Sequence, residues 1–148
     1  MIVDKLLSPS IKQPLNVGLP VGTTTLGQVM DWGAARNQGL LAKPYGPGWD
    51  INIRNATSGG AATATLLLVT DDNAALSSPT TLFTSPTYTL SQLAKMDLFV
   101  PVPETDLWER YVAWRITVGT AVFTGGTISL EYVADVRKWR GYPAQGNR

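Results

Sequence analysis

Arg110-Tyr111-Val112-Ala113-Trp114-Arg115-Ile116-Thr117-Val118 is the stretch that decides the fold class. Val112, Trp114, Ile116 and Val118 fall on one side of an extended chain, and Tyr111, Ala113, Arg115 and Thr117 on the other. That period of two is the mark of a half-buried β-strand. Downstream, Ile128, Leu130, Tyr132 and Ala134 repeat it, and Gly119 to Gly126 reads as a longer hairpin loop joining the two strands. Upstream, Trp49, Ile51 and Ile53 alternate with Asp50, Asn52 and Arg54. Ser58-Gly59-Gly60 is a turn signal, so 49–55 and 62–70 are expected to form a hairpin. Leu26–Trp32, Thr80–Thr84 and the alternating Leu98, Val100 and Val102 are further candidate strands, and Leu90–Met96 has room for one or two helical turns. Gly39, Pro44, Gly46, Pro47 and Gly48 mark 33–48 as a loop. Seven or eight short strands separated by turns predict an all-β sandwich, jelly-roll or Greek-key.

Composition agrees. The chain has 148 residues, enough for one domain with a substantial core. Charged residues are 16% of it, against about 25% in a typical domain. The formal net charge is +1, so no nucleic-acid partner is expected. No apolar run approaches the ~20 residues of a membrane helix. Asp4, Pro9 and Pro14 interrupt any secretory h-region. These features predict a soluble, non-secreted protein with no membrane partner.

The chain has neither cysteine nor histidine. A Ser-His-Asp or Cys-His catalytic set and an ordinary zinc site are therefore out of reach. Glu104, Asp106 and Glu109 form one acidic group and Asp71 with Asp72 another. Two carboxylates can hydrolyse a glycosidic bond, but the first group lies in a Pro-flanked connection, where acids stay solvated. Asp71-Asp72-Asn73 follows a strand, where such residues stabilise turns through side-chain to backbone bonds. Gly59-Gly60 and Gly125-Gly126 lack the Gly-Lys-Ser/Thr of a phosphate loop. No catalytic residue, cofactor or metal is expected. Tyr45, Trp49, Trp139 and Tyr142 are candidates for stacking on sugars, whereas Trp32 and Trp114 sit in strand patterns and are expected in the core.

The two ends of the chain differ from its middle. Residues 1–25 are apolar and broken by Pro9, Pro14 and Pro20, without helical period. They read as an extended arm, with Ile2, Leu6, Leu7, Ile11, Leu15 and Val17 as its partner-binding side chains. Ordering each backbone residue costs about 1–2 kcal/mol, which contacts must offset. Either its own domain or a neighbouring subunit must supply them, and the neighbour is the preferred reading. Residues 26–136 are the sandwich. Residues 137–148 are a basic, aromatic tail in which Arg137, Trp139, Arg140 and Tyr142 have the chemistry of interface hot spots.

Asp31-Trp32-Gly33-Ala34-Ala35-Arg36-Asn37, then Gly46-Pro47-Gly48, the strands broken at Gly59-Gly60, Thr70-Asp71-Asp72, Val118-Gly119-Thr120 and Phe123–Ile128 follow one another in an order that resembles a podophage capsid cement (decoration) family. The resemblance runs from about Leu26 to Tyr142. It rests on order and spacing, since each motif alone is common turn chemistry. The resemblance implies a jelly roll made in the bacterial cytoplasm. It implies a homodimer on the outside of the virion capsid that staples neighbouring major capsid protein subunits. A carbohydrate-binding jelly roll, or another head or tail component, is the competing expectation.

Overall fold

The computed structural model describes residues 10–15, 19–33 and 47–133, with side chains from Gln13 onward. Nine strands and one helical turn occur among them: β1 (Ser10–Pro14), β2 (Gly22–Asp31), β3 (Gly48–Ser58), β4 (Thr63–Asp71), β5 (Thr80–Thr84), β6 (Tyr88–Thr89), α1 (Leu90–Leu93), β7 (Lys95–Pro101), β8 (Tyr111–Gly119) and β9 (Phe123–Val133). The helical turn opens where Thr89 N–H donates to Gln92 Oε1.

The strands form two antiparallel sheets, in the orders β1-β9-β3-β7 and β2-β8-β4-β5, with β6 also on β4. β5 and β6 are two halves of one edge strand. Thr84 lies opposite Leu67, and Tyr88 opposite Ala64. Ser85 bridges the gap: its N–H donates to Leu66 O and its Oγ accepts from Leu66 N–H, both at 2.9 Å. With that pair counted once, the eight strands wind as 1-8-3-6 and 2-7-4-5. This is the jelly-roll order, in which the chain changes sheet at nearly every connection.

The two expected hairpins are corrected by this topology. β3 pairs with β7 and β9, and β4 with β8, β5 and β6. The Gly59-Gly60 turn thus carries the chain across the sandwich, not back along one sheet. β8 and β9 also lie in different sheets, and Phe123–Gly126, expected as loop, is the first part of β9. Asp71 does stabilise a turn. Its Oδ1 accepts from Asn73 N–H and its Oδ2 from Ser78 N–H.

The core fills the space between the sheets. Trp49, Ile51 and Ile53 of β3 and Val112, Trp114, Ile116 and Val118 of β8 meet there, with Leu66 and Leu68 of β4 and Ile128 and Leu130 of β9. The expected faces of β3 and β8 are the observed ones. Ala113, on the other face of β8, is buried too: the β4–β5 connection folds Leu76 over it and Val69. Arg115 Nη2 holds that flap by donating to Leu76 O at 3.1 Å.

The expected boundary at residue 25 is also corrected. Ser10–Pro14 pair with β9, and β2 begins at Gly22. Leu15 N–H donates to Gly126 O, and the Leu15 side chain is 1% exposed in the domain's own core. Burial of that kind contributes about 1.5–3 kcal/mol for a leucine, which offsets the ordering cost of one or two residues of the strand, and the pairing with β9 adds to it.

Candidate functional site

One end of the sandwich gathers four large aromatic side chains. Each arrives because a strand or connection terminates there. Trp32 follows β2, Trp49 opens β3, Trp108 lies on the β7–β8 connection, and Tyr132 closes β9. Trp32 stacks on Trp108 with centroids 5.1 Å apart and planes 9° from parallel. It also stacks on Trp49 at 6.1 Å. Tyr132 stands edge-on to Trp32 and Trp49 at 6.4 and 5.4 Å, and Trp114 meets Trp49 edge-on at 5.7 Å. Offset-stacked and edge-on pairs of this sort contribute about 0.5–1.5 kcal/mol each beyond area burial.

Backbone bonds hold the group in place. Trp32 N–H donates to Arg110 O, and Val102 N–H to Pro47 O. Trp108 Nε1 donates to Pro103 O at 3.1 Å, closing the β7–β8 connection on itself. The Nε1 atoms of Trp32, Trp49 and Trp114 are shielded from solvent and have no acceptor among the described residues.

A charged clamp ties β2 to β8 beside the aromatic stack. Arg110 Nε and Nη2 donate to Asp31 Oδ1 and Oδ2 at 2.9 and 2.8 Å, and Gly33 N–H donates to Asp31 Oδ1 at 2.8 Å. The Arg110 guanidinium also lies 5.0 Å over the Tyr111 ring. The Arg110 hydrogen bonds, with the Gly33 N–H, hold the Asp31 carboxyl well down, from 3.8 to about 2. A lowered folded-state pKa gives stability that is present above the unfolded value and lost as pH falls through the folded one. Asp31→Asn is therefore expected to melt below the unsubstituted chain at about pH 6, and to converge with it as pH falls from about 4 toward 2. Thermal melts across that range check this; a constant difference at all pH values would mean that the carboxylate charge is not what matters. The clamp is half-exposed, so its contribution is modest.

The β7–β8 connection carries the acidic group singled out in the sequence. Glu104 and Asp106 are exposed and Glu109 is half-buried. Leu107, between them, is 54% exposed. Elsewhere, the outer face of the first sheet is polar: Asn52 Nδ2 donates to Asp50 Oδ2, and Arg54 bonds to Asn52 Oδ1 and pairs with Asp97. Desolvation raises the Asp50 pKa there. No group of three potential metal-ligating side chains occurs among the described residues. No described helix is long and apolar enough to cross a membrane.

Of the ten residues expected to bind a partner, the described residues include two. Leu15 is core and cannot dock elsewhere while the domain is folded. Ile11 lies on β1, whose backbone pairs with β9. Ile2, Leu6, Leu7, Val17, Arg137, Trp139, Arg140 and Tyr142 lie outside the described residues, as does the sugar-stacking candidate Tyr45. Trp49, the one sugar-stacking candidate among the described residues, is 0% exposed and is corrected to a core residue. The aromatic end itself, with Trp108 and the Asp31–Arg110 clamp, was not singled out. Its members are up to 101 positions apart, and no local pattern joins Asp31-Trp32 to Trp108 and Arg110. No protein-family model matches the sequence, and no curated protein matches it.

Proposed function

We propose that this chain is a structural protein of a phage particle. In this reading it is a capsid cement that binds the outside of the shell as a homodimer and staples neighbouring major capsid protein subunits. The observation that supports this most is where the chain enters and leaves the sandwich. Ser10 lies opposite Leu130 on adjacent strands, three positions from Val133, where β9 ends. The apolar stretch before Ser10 and the basic, aromatic stretch after Val133 are thus anchored side by side at one end of a rigid body. Two adhesive segments on one anchor give bivalent attachment, in which effective concentration supplies affinity that neither contact supplies alone. The polar outer face of the first sheet suits a protein displayed on a particle surface.

Because β1 belongs to the domain, the clean truncation removes residues 1–9 and leaves Ser10–Pro14 in place. Quantitative mass spectrometry of purified particles is expected to find this chain near parity with the major capsid protein. The 1–9 deletion is expected to lower its occupancy on undecorated shells. A few copies per particle would move the protein to a neck or tail role, and full occupancy by the truncated chain would remove the stapling role from that stretch.

A further inference from the structure

We propose that the outer face of the second sheet binds the carboxylate of an acidic sugar, held by the Arg115 guanidinium with the hydroxyls of Thr25, Thr65 and Thr117 around it. This goes beyond the capsid reading and does not depend on it.

Arg115 stands apart from the other described arginines. Arg54 pairs with Asp97, and Arg110 with Asp31. Arg115 has no carboxylate partner among the described residues, and its one hydrogen bond among them runs from Nη2 to Leu76 O. A guanidinium carries five N–H donors, so four remain. The residue is half-buried, yet none of its nitrogens is both shielded from solvent and unpaired. The remaining donors therefore open outward, where an anion reaches them.

The bond to Leu76 also aims the fork. Leu76 has φ +50°, a left-handed conformation that costs a leucine on the order of 1–3 kcal/mol. Its side chain is held by burial against Val69 and Ala113. The carbonyl is thus fixed, and it orients the guanidinium before any ligand arrives. Donors positioned in advance lose less entropy on binding.

Register places hydroxyls around the cation. On the outward face Arg115 lies opposite Thr25 of β2. Thr117, two positions along β8, lies between Thr23 of β2 and Thr65 of β4. The Thr23 and Thr117 hydroxyls share a hydrogen bond of 2.8 Å, and those of Thr65 and Thr87 one of 2.9 Å. Each pair uses one hydroxyl proton and leaves the other free to donate. Thr25 Oγ1 has no partner among the described residues.

The chemistry of the face selects the ligand. Arg115 is the only charged residue in the paired stretches 22–26, 63–69 and 113–119. A nucleic acid needs several cations along its phosphates and finds one. A single planar cation among neutral hydroxyls fits a ligand with isolated carboxylates and many alcohol groups, which is a uronic acid. The guanidinium donates to both carboxylate oxygens, and the threonines exchange hydrogen bonds with the ring alcohols.

The test is titration of the full chain with a tetramer of β-1,4-linked mannuronate, followed by NMR of the backbone amides and the arginine Nε–H groups. Mannotetraose with the same linkage is the uncharged counterpart, and inorganic sulfate is the free oxyanion. Mannuronate is expected to bind about tenfold more tightly than either, with shifts at Arg115 Nε and at the amides of Thr25, Thr65 and Thr117. Arg115→Lys keeps the charge and loses the fork, and is expected to weaken binding about tenfold. Because Arg115 also holds the β4–β5 connection, Thr25→Val is the second variant. It is expected to weaken binding about threefold or more with the melting temperature unchanged. Mannuronate bound no more tightly than mannotetraose, shifts centred elsewhere, or unchanged affinity in either variant would overturn the proposal. Sulfate bound as tightly as mannuronate would also overturn it, leaving an adventitious ion only.

Discussion

Trp49→Ala is expected to destabilise the domain by about 3–5 kcal/mol, the range for truncating a fully buried large aromatic. In a domain of this size that lowers the melting temperature on the order of 10 °C. Trp49 lies on β3, which is hydrogen-bonded on both sides, by β7 and β9. Its ring touches Trp32, Trp114 and Tyr132. Removing it leaves a cavity that two flanking strands prevent from collapsing. Trp49→Phe is expected to cost much less, because it keeps the edge-on partners and deletes an indole N–H that has no acceptor among the described residues. Urea and thermal melts of both variants measure this. A Trp49→Ala chain that melts like the unsubstituted one would return Trp49 to the surface and reopen the sugar-binding reading.

Gly126→Ala is expected to cost about 3 kcal/mol or more, from left-handed backbone strain together with overpacking. Gly126 has φ +111°, and a Cβ there would come 2.8 Å from Ala56 Cα and 3.0 Å from Leu15 Cδ1. Neither the backbone of β3 nor the buried Leu15 has room to retreat. Gly126 O also accepts the Leu15 N–H bond, so a shift at this residue loosens the seam between β1 and β9. Hydrogen exchange is expected to rise first at Ser10–Leu15, ahead of global unfolding. Unchanged stability would mean that β9 can flatten at this point.

Most strands were legible in the sequence, but β1, β6 and the start of β9 were not, and neither were the strands' partners. Alternation in 49–53 and 112–118 identified the buried faces correctly, because which face is buried is a local property of a strand. Gly59-Gly60 and Gly125-Gly126 suggested hairpins, because a short Gly-rich link looks alike whether it turns within a sheet or crosses between sheets. Leu15 was assigned to an arm because Pro14 and Pro20 bracket it; that it fills a slot under Gly126 depends on β9, over a hundred residues later. The aromatic end was missed for the same reason. Trp32, Trp49, Trp108 and Tyr132 are neighbours only through the winding of the chain.

That winding has a consequence for biosynthesis. The central positions beside β1 and β2 are filled by the last strands made: β9 lies between β1 and β3, and β8 between β2 and β4. At about 5–20 residues per second, β1 to β7 wait for seconds on the ribosome with neither sheet able to close. Folding is therefore dominated by distant pairings, in the slow, millisecond-to-second class of β-sandwiches. No N-terminal fragment that stops before β8 contains a complete sheet, so such a prematurely terminated product presents open strand edges to the cell.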